Sequence, residues 1–359
     1  MYLTELRVQN LRNLEDVQID LVPGLNLFSG ANGAGKTSIL EAAHLLSHGG
    51  SFRTHQNDYL VRRDAEQMAV YGLAVSRIGV RRLGLSRRAG RWSARLDGET
   101  PASLTSLFAA CAVVCFEPGS HALICGPAQL RRSFLDWGVF HVEPDFAAQA
   151  RRYRRALRQR NALLKQDADV DELGVWEEEL AQTAEPLTHG RETYIERFKL
   201  ELLPLLANYL PELGEPNLQF RPGWERSLPL FELLAETRLR DQALGHTTRG
   251  PHRADWTLSF AQAPTHEQLS RGQEKLCAIA CMLAQARMYR RAHEEWPIIV
   301  LDDLCSELDS AHQHSVMEAL AETSAQILLT GTEITPSLVQ RIPTQRRFHV
   351  EQGRVQALL

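Results

Sequence analysis

Eight consecutive residues have the types and spacing that bind a nucleoside triphosphate. The segment fits G-x-x-x-x-G-K-[ST] at every required position and comprises Gly30, Ala31, Asn32, Gly33, Ala34, Gly35, Lys36 and Thr37. Its glycines allow the backbone to wrap so that successive N–H groups point at phosphate oxygens. Lys36 is expected to bridge the β- and γ-phosphates, and the Thr37 hydroxyl to ligate Mg²⁺. The segment therefore predicts a site for ATP and Mg²⁺.

Two adjacent carboxylates follow an apolar run late in the chain. Residues 298–301 are Ile, Ile, Val and Leu, which is typical of a parallel strand buried on both faces. A carboxylate after such a strand emerges at the carboxyl edge of the sheet, where ligands bind. We expect Asp302 to hold Mg²⁺ through water and Asp303 to polarise the attacking water. Lys36, Asp302 and Asp303 are thus the predicted catalytic residues, with Thr37 and Asp302 as the predicted metal ligands.

A third segment, residues 269–273, has the sequence Leu-Ser-Arg-Gly-Gln before an apolar helical pattern. One interpretation is a capping box, in which Ser270 and Gln273 close the first turn of a helix. The other keeps that geometry and gives it a ligand, because the Ser270 hydroxyl and the Gly272 N–H at a helix N-terminus suit a γ-phosphate. The position shortly before the Asp302 strand favours the second interpretation. Ser270, Gly272 and Gln273 are therefore predicted to bind ATP.

The elements that must carry these residues come from both ends of the chain. Strand patterns lead into the glycine loop and a helix follows it, while residues 120–240 show long helical periods. Strand and helix patterns then alternate again to the end. Because the loop and Asp302 must contact one nucleotide, the sheet has to be assembled from both ends. We predict an N-terminal half of the head at 1–119, a helical arm at 120–240 and a C-terminal half of the head at 241–359.

The composition is that of an ordinary globular protein. The chain has 359 residues, 44% of them hydrophobic, with a formal net charge of −4. No apolar run is long enough for a bilayer span, and the first residues lack the pattern of a signal peptide. The six cysteines form no C-x-x-C pair, which favours small buried residues in a reducing compartment. We expect a cytoplasmic protein without a membrane partner.

Arginines are concentrated in two stretches, although the net charge argues against bulk coating of nucleic acid. Residues 77–95 and 151–165 each carry seven basic side chains and no carboxylate. Such stretches can be local nucleic-acid patches or simply solvated basic faces, and the sequence leaves both open. The candidate DNA-binding residues are Arg152, Arg155 and Arg158. No basic stretch is rich in aromatic residues, so little sequence preference is expected.

The motifs resemble those of the ABC ATPase superfamily and, within it, the RecF family of bacterial recombination mediators. The matching segments are Asn10-Leu11-Arg12-Asn13, the glycine loop, Gly250-Pro251-His252-Arg253, Leu269-Ser270-Arg271-Gly272-Gln273, Leu301-Asp302-Asp303 and Ser306-Glu307-Leu308-Asp309. Transporter ATPases usually have glycine at the position of Arg271 and glutamate at that of Asp303, and RecF proteins share both departures. Two superfamily features have no clear match: the sensor glutamine near residues 116–118 and the switch histidine near residues 330–332.

The resemblance implies an α/β fold: an ABC-type ATPase head with a P-loop mixed sheet, an antiparallel subdomain and an inserted all-helical arm. It implies a weak cytoplasmic ATPase that dimerises on ATP and binds double-stranded and gapped DNA. RecR, acting with RecO, is the implied partner in loading RecA during gap repair, replication-fork recovery and SOS induction. Alternatives are a nuclease-associated ABC-type head acting at DNA ends, a transporter subunit and a kinase. His252 and Arg253 are either near the nucleotide or a buried structural pair.

Overall fold

The computed structural model describes residues 1–54, 56–166, 169–332, 342 and 344–358. The chain divides into two compact units, the first formed by Met1–His121 with Arg271–Leu359 and the second by Ala122–Ser270. Both ends of the chain therefore build the first unit, as the separation of the nucleotide motifs requires.

The secondary structure alternates in the first unit and is mainly helical in the second. Before residue 122 the elements are β1 (Tyr2–Leu11), β2 (Leu14–Asp20), β3 (Leu25–Ser29), α1 (Lys36–His48), β4 (Gln67–Ser76), β5 (Gly79–Arg88), β6 (Arg91–Leu96), α2 (Leu104–Ala109) and β7 (Val113–Phe116). The second unit contains α3 (Ala122–Cys125), α4 (Ala128–Val142), α5 (Phe146–Leu164), α6 (Val170–Tyr209), β8 (Pro216–Arg221), α7 (Leu230–Glu236), α8 (Arg238–Leu244) and β9 (Asp255–Phe260). The chain returns with α9 (Arg271–His293), β10 (Ile298–Leu301), α10 (Leu304–Glu307), α11 (Ser310–Ala321), β11 (Ile327–Gly331), β12 (Gln345–Glu351) and β13 (Arg354–Leu358).

The mixed sheet of the first unit carries the nucleotide motifs. Its six strands follow the order β13-β12-β3-β11-β10-β7, and all neighbours are parallel except β12 and β13. Because β3, β11, β10 and β7 run in the same direction, the segments that follow them emerge at one edge. The N-terminal strand β3 lies between the C-terminal strands β12 and β11, and the N-terminal strand β7 pairs with the C-terminal strand β10. The predicted assembly of the sheet from both ends is confirmed.

An antiparallel sheet of five strands, ordered β2-β1-β4-β5-β6, shares a core with helix α1. Ile39, Ala43 and Leu46 of α1 are fully buried in that core. Gly72 on β4 allows the close approach, since a Cβ there would lie 2.6 Å from a methyl carbon of Leu46. A mixed sheet with an antiparallel subdomain is the fold class that the sequence predicts. This packing fixes the start of α1, where the glycine loop ends.

The second unit is helical but also contains a two-stranded antiparallel sheet. Residues Pro216 to Arg221 pair with Asp255 to Phe260, so β9 joins β8 and not the sheets of the head. The prediction returned the chain to the head at residue 241, whereas the contacts keep it in the second unit through Ser270. The difference arises because the partners in this pair are far apart in sequence. None of the described helices, including the 40-residue α6, is long and apolar enough to cross a membrane.

Candidate nucleotide site

The glycine loop has a backbone that only glycine adopts easily. Gly30, Gly33 and Gly35 have φ values of 153°, 78° and 116°. At Gly30 a Cβ would also lie 2.1 Å from the carbonyl oxygen of Val350 on β12. Helix α1 begins directly after Gly35, and no side chain caps its N-terminus. The first amides and the positive end of the helix dipole therefore face the loop, as anion binding requires.

The Lys36 ammonium lies within the loop. Its Nζ donates hydrogen bonds to the carbonyl oxygens of Gly30 at 2.7 Å and Ala31 at 2.9 Å, and the residue is only 8% exposed. Carbonyl oxygens are neutral acceptors, so a phosphate oxygen would be a stronger partner for this charge. The ammonium is thus held where a triphosphate wrapped by the loop would contact it.

Asp302 meets Thr37 across 265 positions of sequence. The Thr37 hydroxyl donates to Asp302 Oδ1 at 3.0 Å, and the Thr330 hydroxyl donates to the same oxygen at 2.7 Å. Burial raises the pKa of Asp302, and these two hydrogen bonds oppose that rise. A hydroxyl beside a carboxylate is the oxygen-only donor set that suits Mg²⁺ held together with phosphates. Thr37 and Asp302 therefore fit the predicted metal site.

Asp303 combines a strained backbone with an unpartnered side-chain oxygen. Its φ is 53°, in the left-handed region, and its N–H donates to Thr330 Oγ1 at 3.0 Å. Its Oδ1 is buried and has no hydrogen-bond partner among the described residues. A buried carboxylate oxygen without a partner is costly, and such groups occur mainly where a ligand or water completes them. The geometry suits a base that accepts a proton from a water in the cleft.

Thr330 is a site residue that the sequence did not identify. It is fully buried at the end of β11, accepts the Asp303 N–H and donates to Asp302. The sequence showed only that no switch histidine stands at this position. The usable signal is strand register, since Leu301 pairs with Leu329 and the next residues must be neighbours. One hydroxyl thereby links the Asp302 carboxylate to the backbone N–H of Asp303.

The first hairpin also contributes to the site. Asn13 donates from Nδ2 to the carbonyl oxygen of Gly33 at 3.1 Å and accepts from Ser38 Oγ at 3.2 Å. Arg12, with a φ of 56°, pairs with the buried Glu41 of α1 through bonds of 3.0 and 2.8 Å. The Asn-Leu-Arg-Asn motif was noted in the sequence without a structural role. It fixes the hairpin onto the loop and onto the helix that follows.

Together these residues line an open cleft of about 400 Å³. Its lining consists of Arg12, Asn13, Asn32, Gly33, Gly35, Lys36, Thr37, Ser38, Arg53, Pro118, Asp302, Asp303 and Thr330. Glu117, directly after β7, stands at the position expected for a sensor glutamine. Burial raises the pKa of Glu117, and the charge of Asp302 raises it further. Among the described groups, no cluster of three or more His, Cys, Asp or Glu residues forms a metal site. A metal in this cleft would therefore depend on the nucleotide for further ligands.

The predicted ATP contacts at residues 270–273 do not line this cleft. Ser270 and Gly272 are exposed and Gln273 is half-buried, with Gly272 and Gln273 in the first turn of α9. Lys275 of the same helix pairs with Glu307 at 2.7 Å, which connects α9 to the segment after β10. The structure thus leaves this helix start accessible to a second molecule. The capping and phosphate-binding interpretations both stay open.

The arginine stretches differ in how many of their charges are already paired. In the first stretch, Arg77, Arg81, Arg87 and Arg88 pair with Glu294, Asp97, Asp58 and Glu66. In the second, Arg152 makes a double hydrogen bond with Glu179 at 2.9 Å, whereas Arg155 and Arg158 are exposed. Arg160 is fully buried between Glu177 and Asp241. His252 and Arg253 lie in the second unit and are not part of the cleft lining.

The chain is similar to known proteins over its whole length. A model of an AAA domain matches residues 5–77. The chain is 48% identical over 364 residues to the DNA replication and repair protein RecF of Stenotrophomonas maltophilia (strain R551-3), with all of both chains covered. It is similar to the solved structure of the recombination mediator protein RecF with ATPrS in the RecFOR pathway, at 25% identity and a TM-score of 0.87, covering 100% of this chain and 98% of that one. An SmcHead bound to the C-winged helix domain of ScpA shares the fold at 14% identity and a TM-score of 0.60, covering 100% and 97%.

Proposed function

The chain belongs to the RecF family of DNA replication and repair ATPases, and from this membership we propose that it is an ATP-gated DNA clamp. In this proposal it dimerises on ATP and binds duplex DNA near single-strand gaps in the cytoplasm. With RecR and RecO it helps to load RecA in gap repair, fork recovery and SOS induction. ATP hydrolysis is weak and resets the dimer.

The observation that carries the proposal is the hydrogen-bonded series Thr37–Asp302–Thr330–Asp303 beside the glycine loop. ATP would supply the triphosphate, and Mg²⁺ would withdraw charge from its oxygens. The loop amides and Lys36 orient the phosphates, while Thr37 and Asp302 would hold the metal. Asp303 accepts the proton of the attacking water at its unpartnered Oδ1. These are the assignments for the predicted catalytic and metal-binding residues.

The proposed dimer would bring to the cleft three residues that do not line it within one chain. Ser270, Gly272 and Gln273 of one copy would close the cleft of the other by contacting its γ-phosphate. Charge-assisted hydrogen bonds of this kind exist only before hydrolysis. The affinity between copies thus depends on the nucleotide state, which makes the dimer a two-state switch.

Slow hydrolysis is expected from Asp303. An aspartate is one methylene shorter than the glutamate found in transporter ATPases, so its carboxylate reaches the water less well. The Asp303 backbone is already in the left-handed region and is held there through its N–H. It has little freedom to compensate for the shorter side chain.

The first test is the mass of the protein in solution, measured by light scattering with ATP, with ADP and without nucleotide. A dimer with ATP alone is expected, and Asp303→Asn should prolong it because ATP is bound without turnover. Lys199→Ala, a substitution of a half-buried residue of the second unit that does not line the cleft, serves as a control variant. A monomer under all three conditions, with ATP still bound, would remove the role of Ser270 and leave only the glycine loop.

The second test adds duplex DNA to the ATP-bound protein. Binding should be strongly salt-dependent, and an Arg152→Glu, Arg155→Glu, Arg158→Glu variant should bind more weakly if helix α5 contacts phosphates. Unchanged affinity in that variant would reject the helix. Comparison of linear and circular duplex separates the clamp from a head that acts at DNA ends, because only the latter requires an end.

A further inference from the structure

Residues 247–254 of the second unit form a loop that is hydrogen-bonded to side chains of the helices around it. We name it the anchored loop. Asn161 Oδ1 accepts from both the N–H and the hydroxyl of Thr247, at 2.8 and 2.7 Å. Asp241 Oδ1 accepts from the N–H and the hydroxyl of Thr248, at 3.1 and 2.7 Å. Asn161 and Asp241 therefore fix the start of the loop, because each accepts hydrogen bonds from both the backbone N–H and the hydroxyl of one threonine.

The far end of the anchored loop is fixed in the same way. The carbonyl oxygen of Thr247 can only accept, so His252 Nε2 must carry the proton of their 2.9 Å bond. Nδ1 then accepts from the Tyr153 hydroxyl at 2.6 Å. Burial lowers the pKa of His252 to about 4, which keeps this tautomer neutral. Arg191 donates to the carbonyl oxygen of Pro251 at 2.7 Å, so the loop has little freedom to move.

A buried ion network lies beneath the anchored loop. Arg160, Glu177 and Asp241 have fully buried side chains, and Arg160 contacts Glu177 at 3.0 Å and Asp241 at 2.7 Å. Arg160 also donates to Thr247 Oγ1 at 2.9 Å. Burying charges costs desolvation that their attraction often fails to recover, so such a network is a poor source of stability. Here its geometric result is a loop fixed at both of its threonines.

The charges around the anchored loop are not balanced. Three carboxylates of this region pair with buried arginines: Asp255 with Arg131, Asp136 with Arg191 and Asp241 with Arg160. Three further guanidinium groups, those of Arg132, Arg249 and Arg253, make no ion pair within the described residues. Arg249 and Arg253 are exposed on the loop, and Arg132 donates to the carbonyl oxygen of Ala254 at 2.8 Å. Burial lowers the pKa of Arg132, and the nearby cations Arg191 and Arg253 add to this effect, whereas Asp255 and Asp136 oppose it.

We propose that Arg132, Arg249 and Arg253 form a phosphate-binding site for the backbone of duplex DNA. This inference rests on the DNA-binding function proposed above and assigns it a second surface besides helix α5. Guanidinium groups bind phosphate in two-pronged geometry, and a preorganised loop loses less entropy on binding than flexible side chains do. The loop carries no Phe, Tyr or Trp that could stack on a base, so it contacts the backbone without reading sequence.

The test compares two pairs of substitutions in the ATP-bound full chain, with a short fluorescent duplex of mixed sequence as the probe. One pair is Arg249→Ala with Arg253→Ala. The control pair, Arg197→Ala with Arg240→Ala, removes the same charge from exposed positions of the same unit. The loop pair should weaken binding roughly tenfold and reduce the slope of log affinity against log salt by roughly 1.8, about 0.9 per phosphate contact. The control pair should change neither quantity appreciably.

Each outcome has a separate meaning. Wild-type binding with an unaffected loop pair would overturn the site and leave the proposed function standing. Failure of the wild-type chain to bind duplex DNA would overturn the DNA-binding function and the site with it. Loss of ATP-dependent dimerisation in the loop pair would assign the arginines to a contact between copies and reject the phosphate site. ATP affinity and the urea midpoint, measured on every variant, verify that the chain is folded.

Discussion

The nucleotide cleft and the anchored loop use the same residue types in opposite ways. In the cleft, Lys36 is held by carbonyl oxygens and Asp302 by hydroxyls, and neither makes an ion pair within the part of the chain that the structure describes. Beneath the anchored loop, Arg160 is paired with Glu177 and Asp241, and all three are buried. The charges in the cleft are available to a ligand, whereas the charges of the ion network fix the position of the anchored loop. Substitution of a charged side chain is therefore expected to reduce ligand affinity in the cleft and the free energy of unfolding in the ion network.

The largest effect is expected from Lys36→Ala. The substitution removes the ammonium from the loop, and with it charge-assisted bonds to two phosphates worth about 1.5–3 kcal/mol each. ATP affinity should fall by roughly 10²–10⁴-fold, since 1.4 kcal/mol is tenfold. Titration calorimetry measures the loss, and light scattering should show that the dimer is lost with it. The urea midpoint should hardly change, because the partners of Lys36 are carbonyl oxygens of the loop.

Arg160→Met should show the reverse pattern. Methionine fills a similar volume but leaves Asp241 buried without an ionic partner, whereas Glu177 keeps its pair with Arg238; the cost is about 3–5 kcal/mol. Urea unfolding followed by tryptophan fluorescence reports mainly on this unit, which contains Trp137, Trp176, Trp224 and Trp256. ATP affinity should stay close to that of the wild type.

The control for this experiment lies on the same helix. Arg158 is exposed, so Arg158→Met should change the free energy of unfolding by less than about 0.5 kcal/mol. Equal destabilisation by the two substitutions would mean that the cost of Arg160→Met does not come from a buried carboxylate left without its partner. It would also remove the structural basis for the anchored loop.

The same contrast explains which parts of the site were predictable. The glycine loop is a local backbone conformation, so its sequence is sufficient to recognise it. Asp302 follows a run of apolar residues that identifies a buried strand end. Thr330 belongs to no motif, and its role depends on the register between β10 and β11. Residues that act through tertiary neighbours were therefore missed.

In the second unit the sequence predicted less of the structure. Arg160 lies within a basic stretch that suggests a solvated face, yet its partners are 17 and 81 positions away. The boundary expected at residue 241 differs from the observed division after Ser270 because β9 pairs with β8. Both results depend on contacts distant in sequence, which helical periodicity does not reveal. The fold class, by contrast, was predicted from the family resemblance that the motifs carry.

Thr330→Val should have an intermediate effect that is confined to the reaction. Valine keeps the shape but loses the bond to Asp302 and leaves the Asp303 N–H unsatisfied, at about 1–3 kcal/mol. The kcat should fall roughly tenfold or more, with a smaller change in the affinity for ATP. More Mg²⁺ should be needed for half-maximal rate, and Thr330→Ser should restore most of the activity. The exposed neighbour Thr332→Val is the matched control, and an identical loss there would contradict the assignment.

The smallest effect concerns two buried histidines, one in each unit. Burial lowers the pKa of His252 and of His44 from 6.5 to about 4. Above pH 6.5 both are neutral in the folded and unfolded chain, so their contribution to stability is complete. As the pH falls from 6.5 towards 4, the unfolded chain takes up protons that the folded chain refuses, and stability is lost.

His252→Gln tests whether this loss acts on the anchored loop. Glutamine can still donate to the carbonyl oxygen of Thr247 and accept from Tyr153, but it does not titrate. The fall in unfolding free energy between pH 7.5 and pH 5.5 should shrink by on the order of 1 kcal/mol, measured by urea titration at each pH. His246→Gln, at an exposed position nearby, is the matched control variant. If His252→Gln is as pH-sensitive as the wild type, protonation of this histidine does not weaken the loop, and acid sensitivity must come from groups such as His44 in the head.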